Sequence, residues 1–162
     1  MSIQETRQTQ NKIEVKDVCF DYVDKKSSFA ALDHVSLSIK EGEFICILGS
    51  SGCGKSTLLG LLNGLNKAKS GKILLDGKPI AGPGPDRAVV FQQYSLFPWL
   101  TAKGNILFGI KQSGKKYSKK EREEKAEEYL RSVGLAAARD KYPNQLSGGM
   151  KQRVAVARAL AL

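Results

Sequence analysis

Three groups of residues in this chain have types and spacings that could do chemistry. The first is Gly49-Ser50-Ser51-Gly52-Cys53-Gly54-Lys55-Ser56-Thr57. Its spacing, Gly49-x-x-x-x-Gly54-Lys55-Ser56, is that of a phosphate-binding loop. Gly49, Gly52 and Gly54 have no Cβ, so the chain can take positive φ and approach a ligand closely. Successive N–H groups then turn inward as a concave anion site. A helix opening at Lys55 adds its positive end. Lys55 can reach the β- and γ-phosphates of a nucleotide, and the Ser56 hydroxyl can ligate Mg²⁺. The second group is Gln92 and Gln93, directly after the apolar run Ala88–Phe91. Polar residues at the carboxyl end of a buried strand stand where open α/β sheets bind ligands. The third is Ser147-Gly148-Gly149, a serine cap and two glycines ahead of a helical pattern. It is either ordinary capping or a second phosphate-binding helix start.

The remaining candidates are single residues. Cys19, Cys46 and Cys53 are the three cysteines. They form no C-x-x-C pair, and their odd number excludes a fully paired disulfide framework, which favours a reducing cytosol. Cys46, inside an apolar run, reads as core. Cys53 lies in the phosphate loop, as a space-filler or as a thiol activated by an anion site. His34 is the only histidine and reads as a surface or core residue rather than a ligand. The formal charge of +10 raises nucleic acid and anionic membranes as partners. However, Lys111, Lys115, Lys116, Lys119 and Lys120 are followed by Glu121, Glu123, Glu124, Glu127 and Glu128, the mixture of a solvated helix face. Only Tyr117 is interleaved with these lysines, so nucleic acid is not expected.

These groups need elements to position them. With 162 residues and 41% hydrophobic content, the chain is one globular domain by length. No run approaches the ~18 apolar residues of a membrane span. The polar leader over residues 1–11 has no secretory signal pattern. Ile13–Tyr22 and Ala31–Lys40 alternate as strands, joined by a polar turn at Asp24–Ser28, and form an antiparallel hairpin. The turn Glu41-Gly42-Glu43 leads into an apolar strand at Phe44–Leu48. A helix follows over Lys55–Leu65, ending near Gly64, then a strand at Lys72–Asp76. Ala81–Asp86 is broken by glycine and proline, and Ala88–Phe91 is expected as a strand buried on both faces. Phe97-Pro98-Trp99-Leu100 is an apolar cluster in a loop, either a satellite core or a docking surface. Helices are expected over Thr101–Ile110, from the capping box Ser118-x-x-Glu121 to about Val133, and from about Gly149 onward. In the last of these Met150, Val154, Ala157 and Leu160 should face inward.

Taken together, GSSGCGKST, then Gln92, then LSGGMKQR (Leu146–Arg153) resemble the nucleotide-binding domain of ABC transporters, in order and over about Ile13–Leu162. The stretch GPGPDRAVVFQQYSLFPWLT is similar to importers of nitrate, sulfonate, taurine and related small anions. The resemblance implies an α/β P-loop NTPase with an antiparallel β subdomain and a helical subdomain over about residues 95–162, within a domain spanning 12–162. It implies ATP and Mg²⁺ as ligands. It places Tyr22 against adenine and Gly49–Thr57 around the phosphates. Gln92, preferred to Gln93 because it directly follows the strand, senses Mg²⁺ and the attacking water. Ser147, Gly148 and Gly149 cover the γ-phosphate bound to another subunit, which requires a head-to-tail dimer, whether a homodimer or a paired ATPase subunit. Phe97–Leu100 meets an integral membrane permease, so the protein is expected to be cytoplasmic and peripheral on the inner membrane. The family continues with a strand ending in an Mg²⁺-holding Asp and a catalytic Glu, then a switch histidine. None is in this sequence, and His34 stands far too early. The expectation is therefore a domain truncated after the signature, with an incomplete core sheet and very slow hydrolysis. Two other functions compete with that of an importer subunit: a soluble ABC-type ATPase acting on ribosomes or DNA, and a non-enzymatic remnant.

Overall fold

The computed structural model describes residues 11–24 and 27–162. The leader therefore lies, except for Asn11, outside the described residues, as do the middle residues of the turn expected at Asp24–Ser28. The chain divides into two compact units at the Pro83–Gly84 step.

The first unit is a sheet with one helix on it. Strands β1 (Asn11–Asp24) and β2 (Ser27–Lys40) pair antiparallel, β3 (Ser70–Leu75) pairs antiparallel with β1, and the two-residue β4 (Lys78–Pro79) closes the order β2-β1-β3-β4. The strands extend beyond their expected bounds, β1 at both ends and β2 at its start. In β1, Val15 and Val18 are both buried, although residues three apart in a regular strand face opposite ways. The register explains it. Val15 opposes Leu37 and Val18 opposes Val35, so Lys16 and Asp17 face the single residue Ser36, a β-bulge that restores the apolar face. Helix α1 (Lys55–Leu62) turns Leu58, Leu61 and Leu62 onto this face, where they join Val15, Val18, Leu32 and Ile73. Burying each such side chain is worth about 1.5–3 kcal/mol. Gly64 follows the helix at φ 71°, a conformation that stops helices.

The second unit is helical. Helices α2 (Ala102–Gln112), α3 (Lys119–Ser132) and α4 (Gly148–Leu160) are joined through short 3₁₀ turns at Ala136–Ala138 and Pro143–Gln145. Ser118 and Ser147 cap α3 and α4 as expected, and Thr101, expected inside its helix, caps α2. Thr101 accepts from Gly104 N–H and Ser147 from Met150 N–H, while Ser118 and Glu121 form the reciprocal capping box. The core gathers Ala102, Ile106 and Ile110 of α2, Ala126 and Leu130 of α3, and Val154 and Ala157 of α4. Helices α2 and α4 approach so closely that a Cβ on Gly109 would lie 2.5 Å from the Arg158 carbonyl oxygen. No helix among the described residues is long and apolar enough to cross a membrane.

Four expectations are corrected. Phe44–Leu48 is not a strand. It runs without a pairing partner among the described residues, with Phe44 94% and Leu48 86% exposed. Ala88–Phe91 is likewise neither a strand nor buried, and Val90 and Phe91 are exposed. Cys46 is exposed rather than core. Leu160 is exposed too, as the last residue of α4. The first three share a cause. An apolar run records a tendency to be buried, but a strand exists only when a neighbour accepts its main-chain hydrogen bonds.

Candidate nucleotide-binding elements

The phosphate loop is built as its glycines require. Gly52 lies at φ 82° and Gly54 at φ 93°, both in the region open to glycine. A Cβ on Gly54 would stand 2.6 Å from the Ala31 carbonyl oxygen of β2, so the loop is pressed against the sheet at that point. Gly54 is also the N-cap of α1. It offers no side chain to the first N–H groups, and no acidic residue lies in the first turn. The positive end of α1 is therefore left for an external anion. Lys55 folds back over the loop. Its Nζ donates to the carbonyls of Gly49 at 2.8 Å and Ser50 at 2.6 Å, and approaches Cys53 Sγ at 3.5 Å. The ammonium thus already crosses the mouth of the loop. Ser56 is exposed at the start of α1, whereas Thr57 is buried. As a hard oxygen donor on an exposed turn, the Ser56 hydroxyl has the donor chemistry that Mg²⁺ prefers.

Tyr22 belongs to the same unit and reaches the same helix. Its hydroxyl lies 3.1 Å from Thr57 Oγ1, and its ring stands edge-on to Phe20 at 5.0 Å. The ring is half exposed, which leaves aromatic surface open for a planar ligand beside the phosphate loop. Sequence reasoning had no signal for the Tyr22–Thr57 link, because the two residues are far apart in the chain and meet only through the sheet.

In the second unit the signature stretch opens α4. Ser147 accepts from Met150 N–H at 3.4 Å. Gly148 and Gly149 are exposed, no acidic residue lies in the first turn, and the space beside Gly149 is open. This is a second helix start with an uncompensated positive end. Gln92 and Gln93 lie in an exposed turn, not at the end of a strand. Directly after them Tyr94 (φ 60°) and Ser95 (φ 45°) are left-handed, a costly conformation for residues with a Cβ. Arg158 of α4 holds them there. It donates to the Ser95 carbonyl at 2.8 Å and the Tyr94 carbonyl at 3.5 Å, and lies over the Phe97 ring at 5.4 Å. Burial pushes the Arg158 guanidinium below its ordinary value.

Phe97–Leu100 is packed at one end and exposed at the other. Phe97 packs inward on Phe108 at 4.5 Å, while Trp99 is 69% exposed. Beneath the segment, fully buried Asn105 accepts from Phe97 N–H and donates to the carbonyls of Phe97, Leu100 and Thr101. Asn105 and Arg158 both escaped the sequence reading. The only trace of Arg158 was a lone charge in the apolar run AVARALAL.

Residues 32–162 match the ABC transporter family model. The nitrate import ATP-binding protein NrtD of Synechococcus elongatus is 50% identical over 148 residues, covering 88% of this chain and 54% of that protein. The bicarbonate transport ATP-binding protein CmpD of the same organism is 47% identical over 148 residues, covering 91% of this chain and 53% of that protein. The chain thus spans about half the length of these curated relatives. Among solved structures, the dimeric structure of MJ0796, a bacterial ABC transporter cassette, aligns at a TM-score of 0.83 and 38% identity, over 92% of this chain and 69% of that one. A glycine-built phosphate loop, a signature helix start and a family match over residues 32–162 lead to one assignment: the chain belongs to the ABC transporter family.

Proposed function

We propose that this chain forms the nucleotide-binding part of an ABC importer ATPase subunit, which couples ATP binding and hydrolysis to passage of a small anion through a membrane permease. The observation that carries this reading is the phosphate loop, where Lys55 lies across a glycine cradle at an uncapped helix start. The anion class rests on relatives that are named for nitrate import and bicarbonate transport.

In this reading Gly49–Thr57 wraps the phosphates, Lys55 pairs with their charge and Tyr22 stacks on the base. The Ser56 hydroxyl would hold Mg²⁺ in part, and the bound ion would neutralise charge on the transferring phosphate. Gln92 would orient the attacking water and sense the metal. Ser147, Gly148 and Gly149 present their N–H groups to a nucleotide held by a second ATPase subunit in a head-to-tail pair. The exposed Trp99 edge of Phe97–Leu100 docks on the permease, which places the protein on the cytoplasmic face of the membrane.

Two measurements test the proposal. ATP binding with Mg²⁺, followed by a fluorescent nucleotide analogue, should weaken at least tenfold in Lys55→Ala, about 1.4 kcal/mol. Unchanged affinity would remove the loop from the site. The full-length protein should co-purify with a multi-span membrane protein, and Trp99→Ala should diminish that association without altering nucleotide affinity. A full-length protein that purifies without any membrane partner would count against the importer role.

A further inference from the structure

Two back-to-back irregularities in the β1–β2 ladder create a feature that the nucleotide chemistry does not use. Val18 opposes Val35 and Phe20 opposes Leu32. Cys19 of β1 therefore faces two residues of β2, Asp33 and His34. The bulge at Lys16–Asp17 lies immediately before it. Bulges re-aim side chains, and here they bring four polar groups together. Cys19 Sγ stands 3.9 Å from Asp33 Oδ1, and His34 Nε2 stands 3.7 Å from the same oxygen. One donor atom from each of the three residues lies within 4.8 Å of the others. Asp17 Oδ1 takes the other ring nitrogen, Nδ1, at 2.7 Å. His34 (φ 48°) and Asp17 (φ 53°) both hold left-handed backbone.

We propose that Cys19, Asp33 and His34 form a site for a thiophilic divalent transition metal of the Zn²⁺ class. A tetrahedral zinc with sulfur at about 2.3 Å and nitrogen or oxygen at about 2.0–2.1 Å sets its donor atoms about 3.3–3.6 Å apart. The Cys19–Asp33 and His34–Asp33 separations of 3.9 and 3.7 Å exceed that by a few tenths of an ångström, and the Cys19–His34 pair, within 4.8 Å, closes by rotation of two surface side chains. The donor set, one thiolate, one imidazole and one carboxylate, selects Zn²⁺ or Co²⁺ over Mg²⁺. Asp17 is the positioning residue. By engaging Nδ1 it fixes the ring so that Nε2 is the ligand, the usual arrangement of a carboxylate behind a metal-bound histidine. On binding, the Cys19 thiol gives its proton to solvent and forms the metal–sulfur bond, with no change of oxidation state. The fourth position is left to water, since the site lies at the surface. The inference uses no residue of the phosphate loop and stands independently of the transport reading.

The test is a Co²⁺ titration of the reduced 162-residue chain without nucleotide. A thiolate-to-cobalt charge-transfer band should appear, saturate at one Co²⁺ per chain, be displaced by Zn²⁺ and be insensitive to excess Mg²⁺. The Cys46→Ser, Cys53→Ser double variant should keep the band, and Cys19→Ser should abolish it. His34→Gln, at an exposed position, tests the same site with little risk to folding and should weaken binding about tenfold or more. Asp17→Asn should keep the band yet weaken binding about 10–100-fold, a split that a merely structural role would not give. No band in the parent chain, a band that survives Cys19→Ser, or one lost in the Cys46, Cys53 variant would overturn the proposal.

Discussion

Asn105 acts at the scale of one side chain. Its amide is fully buried and has no water to fall back on. Its oxygen accepts from Phe97 N–H at 2.9 Å, and its nitrogen donates to three carbonyls at 3.0–3.3 Å. One side chain therefore ties the two ends of the Phe97–Thr101 turn together. Asn105→Ala removes the partner of the Phe97 N–H and of the Leu100 carbonyl, while the Phe97 and Thr101 carbonyls keep the Leu100 and Asn105 N–H groups, and should cost about 1–3 kcal/mol. Asn105→Asp should cost at least as much at neutral pH, because a carboxylate cannot donate and would face carbonyl oxygens. Urea unfolding of both variants checks this, and an Asp variant more stable than the Ala variant would reject the hydrogen-bond account. Arg158 acts similarly on Tyr94 and Ser95. Arg158→Met keeps much of the stem volume and removes the donors. With Tyr94 and Ser95 released from their left-handed conformation, their amide hydrogens should exchange faster while α4 keeps its protection.

Among the elements, α3 owes its position to charge as well as to Ala126 and Leu130. Lys103 of α2 bridges Glu123 at 2.5 Å and Glu127 at 3.0 Å. The hydrogen bond from Lys103, then its charge and that of Arg139, holds the Glu127 carboxyl below its ordinary value of 4.5. The capping-box bonds to Ser118 lower Glu121 as well. A carboxylate whose folded value is depressed stabilises the fold above its unfolded value and loses that contribution as pH falls through the folded one. The melting temperature should therefore decline as pH drops below about 4.5. Lys103→Met should flatten the decline, and equal acid sensitivity in that variant would mean that the bridge contributes nothing. The helix starts were legible in the sequence because cap chemistry is local: Ser118 with Glu121, or Ser147 before two glycines, states its role within four residues. The β1 bulge at Lys16–Asp17 went unread, although Val15 and Val18 fall out of alternation there. The strands expected at Phe44–Leu48 and Ala88–Phe91 were misread because pairing is not local, and no residue within either run names its neighbour.

At the scale of the whole molecule, apolar surface and charge oppose each other. Phe44, Ile45, Ile47 and Leu48 are exposed on a run without regular structure, a contiguous apolar patch of the kind that recruits other chains. The formal charge of +10 keeps copies of the chain apart. These two effects respond differently to salt. Ion-pair association weakens as salt rises, whereas association by exposed apolar edges strengthens once like charges are screened, over about 10 Å at 0.1 M. The 162-residue chain should therefore bind a hydrophobic dye at low salt and self-associate increasingly as salt is added, as followed by light scattering. Replacing Phe44 and Leu48 by serine should reduce both signals while leaving the capped helices of the second unit intact by circular dichroism. Self-association that falls with salt, or that persists unchanged in the double variant, would move the contact from this apolar run to the charged surface.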